Sequence, residues 1–199
     1  MSITNEHARA STLDPVQSSS EASSSCLTLG GLVETLSKLR DVPTLEAMNG
    51  WMRGAAPLPE DLRPFVGFKE GTYARHRVFL NEFIELLVLC WLPGQRTPIH
   101  DHDGSHGVVR VCEGVMWETT FALEDARGLV YQTSREWTGG HVTGADVPDI
   151  HLLGNPDISG QNLVTLHMYS PPLTSLNVYK IGRKESVSTV WMSSWNPTI

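Results

Sequence analysis

Residues 94–114 read Gly94-Gln95-Arg96-Thr97-Pro98-Ile99-His100-Asp101-His102-Asp103-Gly104-Ser105-His106-Gly107-Val108-Val109-Arg110-Val111-Cys112-Glu113-Gly114. His100 and His102 lie two apart in a segment bounded by turn residues and flanked by sequence of strand character. Side chains of a strand alternate between faces, so both imidazoles project one way and Asp101 the other. Two neutral imidazoles on one face make most of a metal site and suit zinc, copper, iron or nickel. By itself the pair is equally compatible with chance or with a loop feature. A third ligand from elsewhere in the chain has to decide.

Working outward from this run, the chain from about residue 72 breaks into short Val- and Ile-rich stretches separated by Gly, Pro, Asn and Asp. Strands are expected at 73–79, 83–92, 98–102, 107–113, 115–122, 129–133, 149–153, 162–169, 175–181 and 186–192. No helices separate the later strands, which argues for an all-β sandwich or barrel over a doubly wound α/β fold. Ahead of them, Leu29, Leu32, Val33, Leu36 and Leu39 have helix-like spacing that ends before Pro43, and a second helical piece spans Leu45 to Met52. The Pro-rich stretch 56–64 reads as a connector. Residues 1–25 are Ser-rich and nearly devoid of large apolar groups. They cannot bury enough surface to offset ordering entropy, so a disordered leader is expected there. One domain then covers 26–199, with a helical part over 28–55 and a barrel over about 72–192.

The chain has 199 residues and a formal charge of -7, enough length to bury a core without disulfide or metal staples. No Lys/Arg cluster offers a phosphate-binding face, which argues against nucleic acid. No apolar run approaches the roughly 20 residues that a membrane span needs, and the N-terminus lacks a charged start followed by an apolar block. Cys26, Cys90 and Cys112 show no paired spacing, so a reducing cytoplasmic setting is the simplest reading. Cys90 lies in an apolar run and reads as an inert core thiol. Trp91, Trp117, Trp137 and Trp191 read as core or barrel-wall residues.

Two spaced patterns occur in order. The first is Gly94, five residues, His100-x-His102, four residues, position 107, six residues, Gly114. The second is Gly140, five residues, then Asp146-Val147-Pro148-Asp149-Ile150-His151-Leu152-Leu153-Gly154-Asn155. Together they resemble the two motifs of the cupins. The resemblance implies a mainly all-β, cupin-type jelly-roll β-barrel with a small N-terminal helical region, a metal inside the barrel, and His151 as the third ligand. Two departures stand out. Gly107 replaces the usual ligand glutamate, and Pro148 replaces a glycine of the second motif. The site would then offer three neutral imidazoles and no carboxylate, so a bound divalent ion keeps its full charge. An anionic substrate such as a thiolate can supply what is missing. Iron(II) adds redox chemistry that zinc lacks, although the ligand set alone does not exclude zinc. His106 and His141 are read as surface or supporting residues.

Further residues narrow the resemblance. Tyr73-Ala74-Arg75, Leu89-Cys90-Trp91, Ile99-His100-Asp101-His102, Ser105-His106, Glu113-Gly114, His151 and Leu166-His167-Met168-Tyr169-Ser170-Pro171-Pro172-Leu173 together resemble the cysteine dioxygenase family, over residues 73 to 173. The resemblance implies Fe(II) as cofactor, a small thiol and O2 as partners, and a sulfinic acid as product. It implies that His100, His102 and His151 hold the iron, that Arg75 receives the substrate carboxylate, and that Tyr73 lines the pocket. A planar guanidinium fork suits that task, while a surface arginine beside Arg77 and a core tyrosine are the plainer readings. By alternation Leu163, Thr165, His167 and Tyr169 share one strand face, and Val164, Leu166 and Met168 the other. The family carries a hydroxyl residue, a histidine and a tyrosine at the positions of Thr165, His167 and Tyr169, where a hydrogen-bonded chain would orient the tyrosine; a polar network of structural value only is the alternative. Animal members join the tyrosine to a cysteine that falls at Gly107, so this chain resembles the bacterial type without the crosslink.

Cysteine oxidation to the sulfinic acid is the function this implies. A 3-mercaptopropionate or other mercapto-acid dioxygenase and a non-catalytic metal-binding sensor are the alternatives, with a zinc isomerase further behind. A monomer or small homo-oligomer is expected.

Overall fold

The run Glu85-Leu86-Leu87-Val88-Leu89-Cys90-Trp91 is buried along its whole length, because it forms a central strand with apolar layers on both faces. The computed structural model describes residues 27–156, 158, 160–181 and 186–190. The leader expected over 1–25, Cys26 and Trp191 lie outside the described residues.

The chain begins with helices α1 (Leu29–Ser37), α2 (Leu45–Gly54) and α3 (Pro59–Leu62), followed by a 3-10 turn at Arg63–Phe65. Thr28 and Thr44 cap the first two helices through their side-chain oxygens, which accept from the backbone N–H groups of Gly31 and Ala47. Then come β1 (Ala74–Leu80), β2 (Glu85–Trp91), β3 (Ile99–Asp101), β4 (His106–Glu113), β5 (Val115–Glu124), β6 (Gly128–Thr138), β7 (Val142–Ala145), β8 (His151–Gly154), β9 (Leu163–Ser170), β10 (Ser175–Tyr179) and β11 (Val187–Val190). They build two antiparallel sheets, ordered β1-β2-β9-β4-β7 and β11-β10-β3-β8-β5-β6. This is a double-layered β-barrel of the cupin type with a small helical region at its N-terminal side.

The five-stranded sheet separates two cores. Its outer face presents Leu86, Val88, Cys90, Val108, Val164, Leu166 and Met168 to Leu32, Leu36, Met48 and Met52 of the helices. Its inner face carries Leu87, Leu89, Trp91, Val109, Val111, Leu163 and Tyr169. Each such buried side chain contributes about 1.5–3 kcal/mol, so the helices hold the outer face and leave the inner one to line the barrel. A one-residue slip of β9 would turn Thr165, His167 and Tyr169 toward the helices, which fixes the register.

Three expectations need correction. The stretch 56–64 is not merely a connector: Pro59 starts α3, where its preset φ suits a first helical position, and the Asp61 carboxylate accepts from the Leu58 N–H. β6 extends through the polar residues to Thr138, since its outer face meets solvent and its pairing with β5 defines it. β7 was not expected. Its Gly144 allows close packing on β4, where a Cβ would lie 2.9 Å from Val108 Cγ2 and 3.1 Å from the Gly107 carbonyl. Trp117 is a barrel-wall residue: it stands on the outer face of β5, 45% exposed, and its indole N–H donates to Glu136. No described helix is long and apolar enough to cross a membrane.

Candidate metal centre

β3 is too short to be stable alone, and it is held between β10 and β8. Asp101 anchors one side: its carboxylate accepts from Asn177 Nδ2 at 2.9 Å and from the Tyr179 hydroxyl at 2.6 Å. As alternation requires, His100 and His102 project the opposite way. The register places His100 directly opposite His151 on β8.

All three histidines are buried, and one ring nitrogen from each lies within 4.8 Å of those of the other two. Ring centroids are 5.2 Å apart for His100–His102, 4.9 Å for His100–His151 and 5.0 Å for His102–His151. His100 Nδ1 bonds the Pro98 carbonyl at 3.0 Å, and His151 Nδ1 lies 3.3 Å from Glu118 Oε1 and 3.4 Å from Asp149 Oδ2. These partners leave Nε2 of both rings for the centre. His151 Nε2 and both nitrogens of His102 are buried without a protein partner. Orphaned buried polar atoms cost about 1–3 kcal/mol each, and a shared cation is the species that would take up His151 Nε2 and one nitrogen of His102. The donor set therefore fits a borderline divalent metal. Among the described residues no Cys, Asp or Glu joins the cluster.

Protonation states agree. Burial, aided by repulsion from His151, pulls His100 down to about 3 and His102 well below the ordinary imidazole value. Both rings are neutral, with lone pairs to offer. Burial also opposes charge on His151, but the Glu118 hydrogen bond and the nearby carboxylates outweigh it, and the net direction is up. Glu118 is raised by burial and lowered more by its donors, His151, Trp137 Nε1 at 2.8 Å and Thr143 Oγ1 at 3.2 Å, so it is held below the usual carboxylate value. Burial raises Asp149.

Beside the cluster runs a polar file on β9. The Trp91 indole N–H donates to Thr165 Oγ1 at 2.9 Å, Thr165 Oγ1 bonds His167 Nε2 at 2.8 Å, and His167 Nδ1 bonds the Tyr169 hydroxyl at 3.1 Å. Indole is a donor only. Thr165 thus accepts from Trp91, and its own buried proton goes to His167 Nε2. That leaves the imidazole proton on Nδ1, donating to the Tyr169 oxygen, and frees the phenol's own proton for another acceptor. Burial keeps His167 well below its ordinary value and pushes the Tyr169 phenol up, so both are neutral. The Tyr169 ring packs 5.0 Å from that of His102.

Arg75 pairs across the ladder with inward-facing Leu89, and its guanidinium charge acts on His100, His102, His167 and Tyr169. It bonds the hydroxyl of Tyr73, whose ring stacks on Trp91 at 4.2 Å. Arg77, two residues along, is instead paired with Glu85 at 2.9 Å. Gly107 faces inward: a Cβ there would lie 2.8 Å from His102 Cε1 and 3.2 Å from Tyr169 Cε1.

The structure therefore brings together His100, His102, His151, Arg75, Tyr73, Thr165, His167, Tyr169 and Gly107. His106 begins β4 on the face opposite to Gly107, and His141 is exposed near Thr138, so neither joins the cluster. Sequence reading missed Glu118, Asp149 and the bond from Trp137. A signal existed for two of them. Glu118 shares a strand face with buried Met116, where a lone carboxylate is out of place, and Asp149 precedes His151 by two.

A family model described as cysteine dioxygenase type I matches residues 19–181. Curated relatives include cysteine dioxygenase type 1 of Danio rerio, 28% identical over 179 residues and spanning 85% of this chain and 87% of the relative. The Homo sapiens protein of the same name is 27% identical over 178 residues, spanning 84% and 88%. Among solved structures, a double-stranded β-helix domain protein from Klebsiella pneumoniae overlays with a TM-score of 0.50 at 15% identity, over 61% of this chain and 89% of that one. That likeness supports the barrel fold. With the family match covering most of the chain and the three-histidine cluster in the same barrel, the chain belongs to the cysteine dioxygenase type I family.

Proposed function

We propose that this protein is a non-haem iron(II) dioxygenase that oxidises the thiol of L-cysteine to cysteine sulfinic acid. Both oxygen atoms of O2 enter the product, so the thiol and O2 balance the reaction without an external reductant. The observation that carries the reading is the buried cluster of His100, His102 and His151 without an acidic member, flanked by one guanidinium and one hydrogen-bonded phenol. His100, His102 and His151 would hold the iron through ring nitrogens, and iron bound there would supply the redox chemistry that zinc lacks.

The chain's own residues do the rest. Arg75, steadied by Tyr73, offers a planar fork to the substrate carboxylate and so sets how far the thiol reaches into the barrel. The Trp91–Thr165–His167 file turns the Tyr169 hydroxyl so that its proton is available to sulfur or oxygen at the cluster. The inner core around Leu87, Leu89 and Val109 excludes bulk water, which strengthens these polar contacts. Tyr169 works as an unmodified phenol, since position 107 has no thiol.

The test is oxygen uptake by purified, Fe(II)-loaded protein on cysteine, 3-mercaptopropionate and cysteamine, with products identified by mass. Cysteine consumption with a gain of two oxygen atoms is expected. No uptake with any thiol would overturn the reading, and preference for 3-mercaptopropionate would move it to the neighbouring mercapto-acid reaction.

A further inference from the structure

The three histidines are backed unequally. His100 Nδ1 meets a neutral carbonyl, that of Pro98 at 3.0 Å. His102 Nδ1 meets no partner. His151 Nδ1 alone meets carboxylates, Glu118 at 3.3 Å and Asp149 at 3.4 Å.

Glu118 is itself firmly held. It points inward from β5, two residues before Thr120, which pairs with His151 across the β5–β8 ladder. Its second oxygen accepts from Trp137 Nε1 on β6 and Thr143 Oγ1 on β7, so three strands converge on one buried carboxylate. Trp137 can only donate, and the Thr143 hydroxyl is placed as a donor as well. A carboxylate surrounded by donors is an acceptor, and the proton of His151 therefore belongs on Nδ1. That leaves the Nε2 lone pair directed at the cluster, where it has no protein partner.

We propose that Glu118 is a positioning residue for the metal centre: it fixes the tautomer and ring angle of His151 and supplies, through that ring, negative charge that the three direct ligands lack. This rests on the metal-site reading above. A carboxylate hydrogen-bonded to the far nitrogen of a ligating imidazole makes the ring a stronger donor. His151 is then the strongest of the three ligands. The inward charge that Gly107 cannot provide is placed one residue further out.

Co(II) binding to the metal-free, full-length protein tests this by equilibrium titration and visible absorption. Glu118→Gln keeps the shape but has one acceptor oxygen for three donors. It is expected to weaken Co(II) binding by roughly 10- to 100-fold and to shift the Co(II) bands, with Glu118→Asp recovering part of the loss. A Glu118→Gln protein with the affinity and spectrum of the parent, even with a lower melting temperature, would overturn the proposal. If that variant does not fold, the Trp137→Phe/Thr143→Val protein, which keeps the carboxylate but frees it to move, is expected to bind Co(II) several-fold more weakly; unchanged binding would again overturn it. A parent chain that binds no Co(II), or binds it equally well after His151→Ala, would instead overturn the metal-site reading itself, and this inference with it.

Discussion

His100 on β3 and His151 on β8 stand directly opposite each other across an antiparallel ladder, with ring centroids 4.9 Å apart. Residues paired in this way share a sheet face, so forming the ladder brings the two rings together. Folding of the barrel and assembly of the cluster are one event. A metal that satisfies the orphaned nitrogens should therefore stabilise the whole domain.

Adding a divalent ion to metal-free protein should raise Tm, because a ligand that binds only the folded state at about 100 times its Kd adds about 2.7 kcal/mol. For a domain of this size that is on the order of 5–10 °C. Differential scanning fluorimetry with Co(II) or Zn(II) reads it directly. His151→Ala should abolish the shift; a shift that survives would place the ion elsewhere.

Gly107→Ala should damage the centre without replacing a proposed ligand. The added methyl would meet His102 Cε1 at 2.8 Å and Nδ1 at 3.0 Å, so the ring has to move. A cost of about 1–3 kcal/mol is expected from such overpacking. Thermal melting and metal titration should both respond, and an unaltered metal affinity would contradict the packing described.

Arg75→Ala should raise KM for cysteine by about 10-fold or more, since a charge-assisted hydrogen bond contributes about 1.5–3 kcal/mol. Cysteamine, which has no carboxylate, should not feel the change. Arg75→Lys should recover part of the binding, because it keeps the charge and loses the fork. Steady-state kinetics on the two thiols decides it; an equal effect on both would assign Arg75 to general stability.

Thr165→Val removes a hydroxyl from the middle of the buried file while keeping its volume. Trp91 Nε1 and His167 Nε2 then lose their shared partner. We expect about 1–3 kcal/mol of destabilisation per orphaned group, together with a fall in kcat as His167 loses its fixed tautomer. Thr165→Ser should restore both. If Thr165→Val lowers Tm and leaves kcat alone, the file is structural only.

Burial pushes the Cys112 thiol up to about 11 and also raises Cys90. The raised value favours the neutral thiol, so at pH 8 the Cys112 thiolate fraction is on the order of one in a thousand. Iodoacetamide at pH 8 should spare both in folded protein and label both in urea, with Cys112 labelling climbing as pH approaches 11. Peptide mapping reads the sites, and rapid labelling of Cys112 at pH 8 would contradict its placement.

Much of the site was legible because it rests on alternation along single strands. His100 against Asp101, and Thr165, His167 and Tyr169 against Leu166 and Met168, follow from backbone geometry within a few residues. The apolar run around Cys90 and the helical spacing ahead of the strands were visible in the sequence, but that the helices cover the outer face of this sheet was decided by packing. β7 gave no such signal: Val142-Thr143-Gly144-Ala145 is a strand only because β4 pairs with it. Trp117 read as core or barrel wall and proves to face outward from the wall, a choice left open because a large aromatic side chain carries no mark of which face of a barrel it occupies.

The sequence by itself determined which side chains share a face, because neighbours along a strand alternate, and the two spaced histidine motifs marked the candidate ligands by resemblance. Only the tertiary structure decided what stands behind each of the three histidines. Glu118 meets His151 through the β5–β8 ladder, and Trp137 and Thr143 reach Glu118 from two further strands. Those partners are joined by hydrogen bonds between distant segments, and no local pattern of residues encodes which strand will lie beside which.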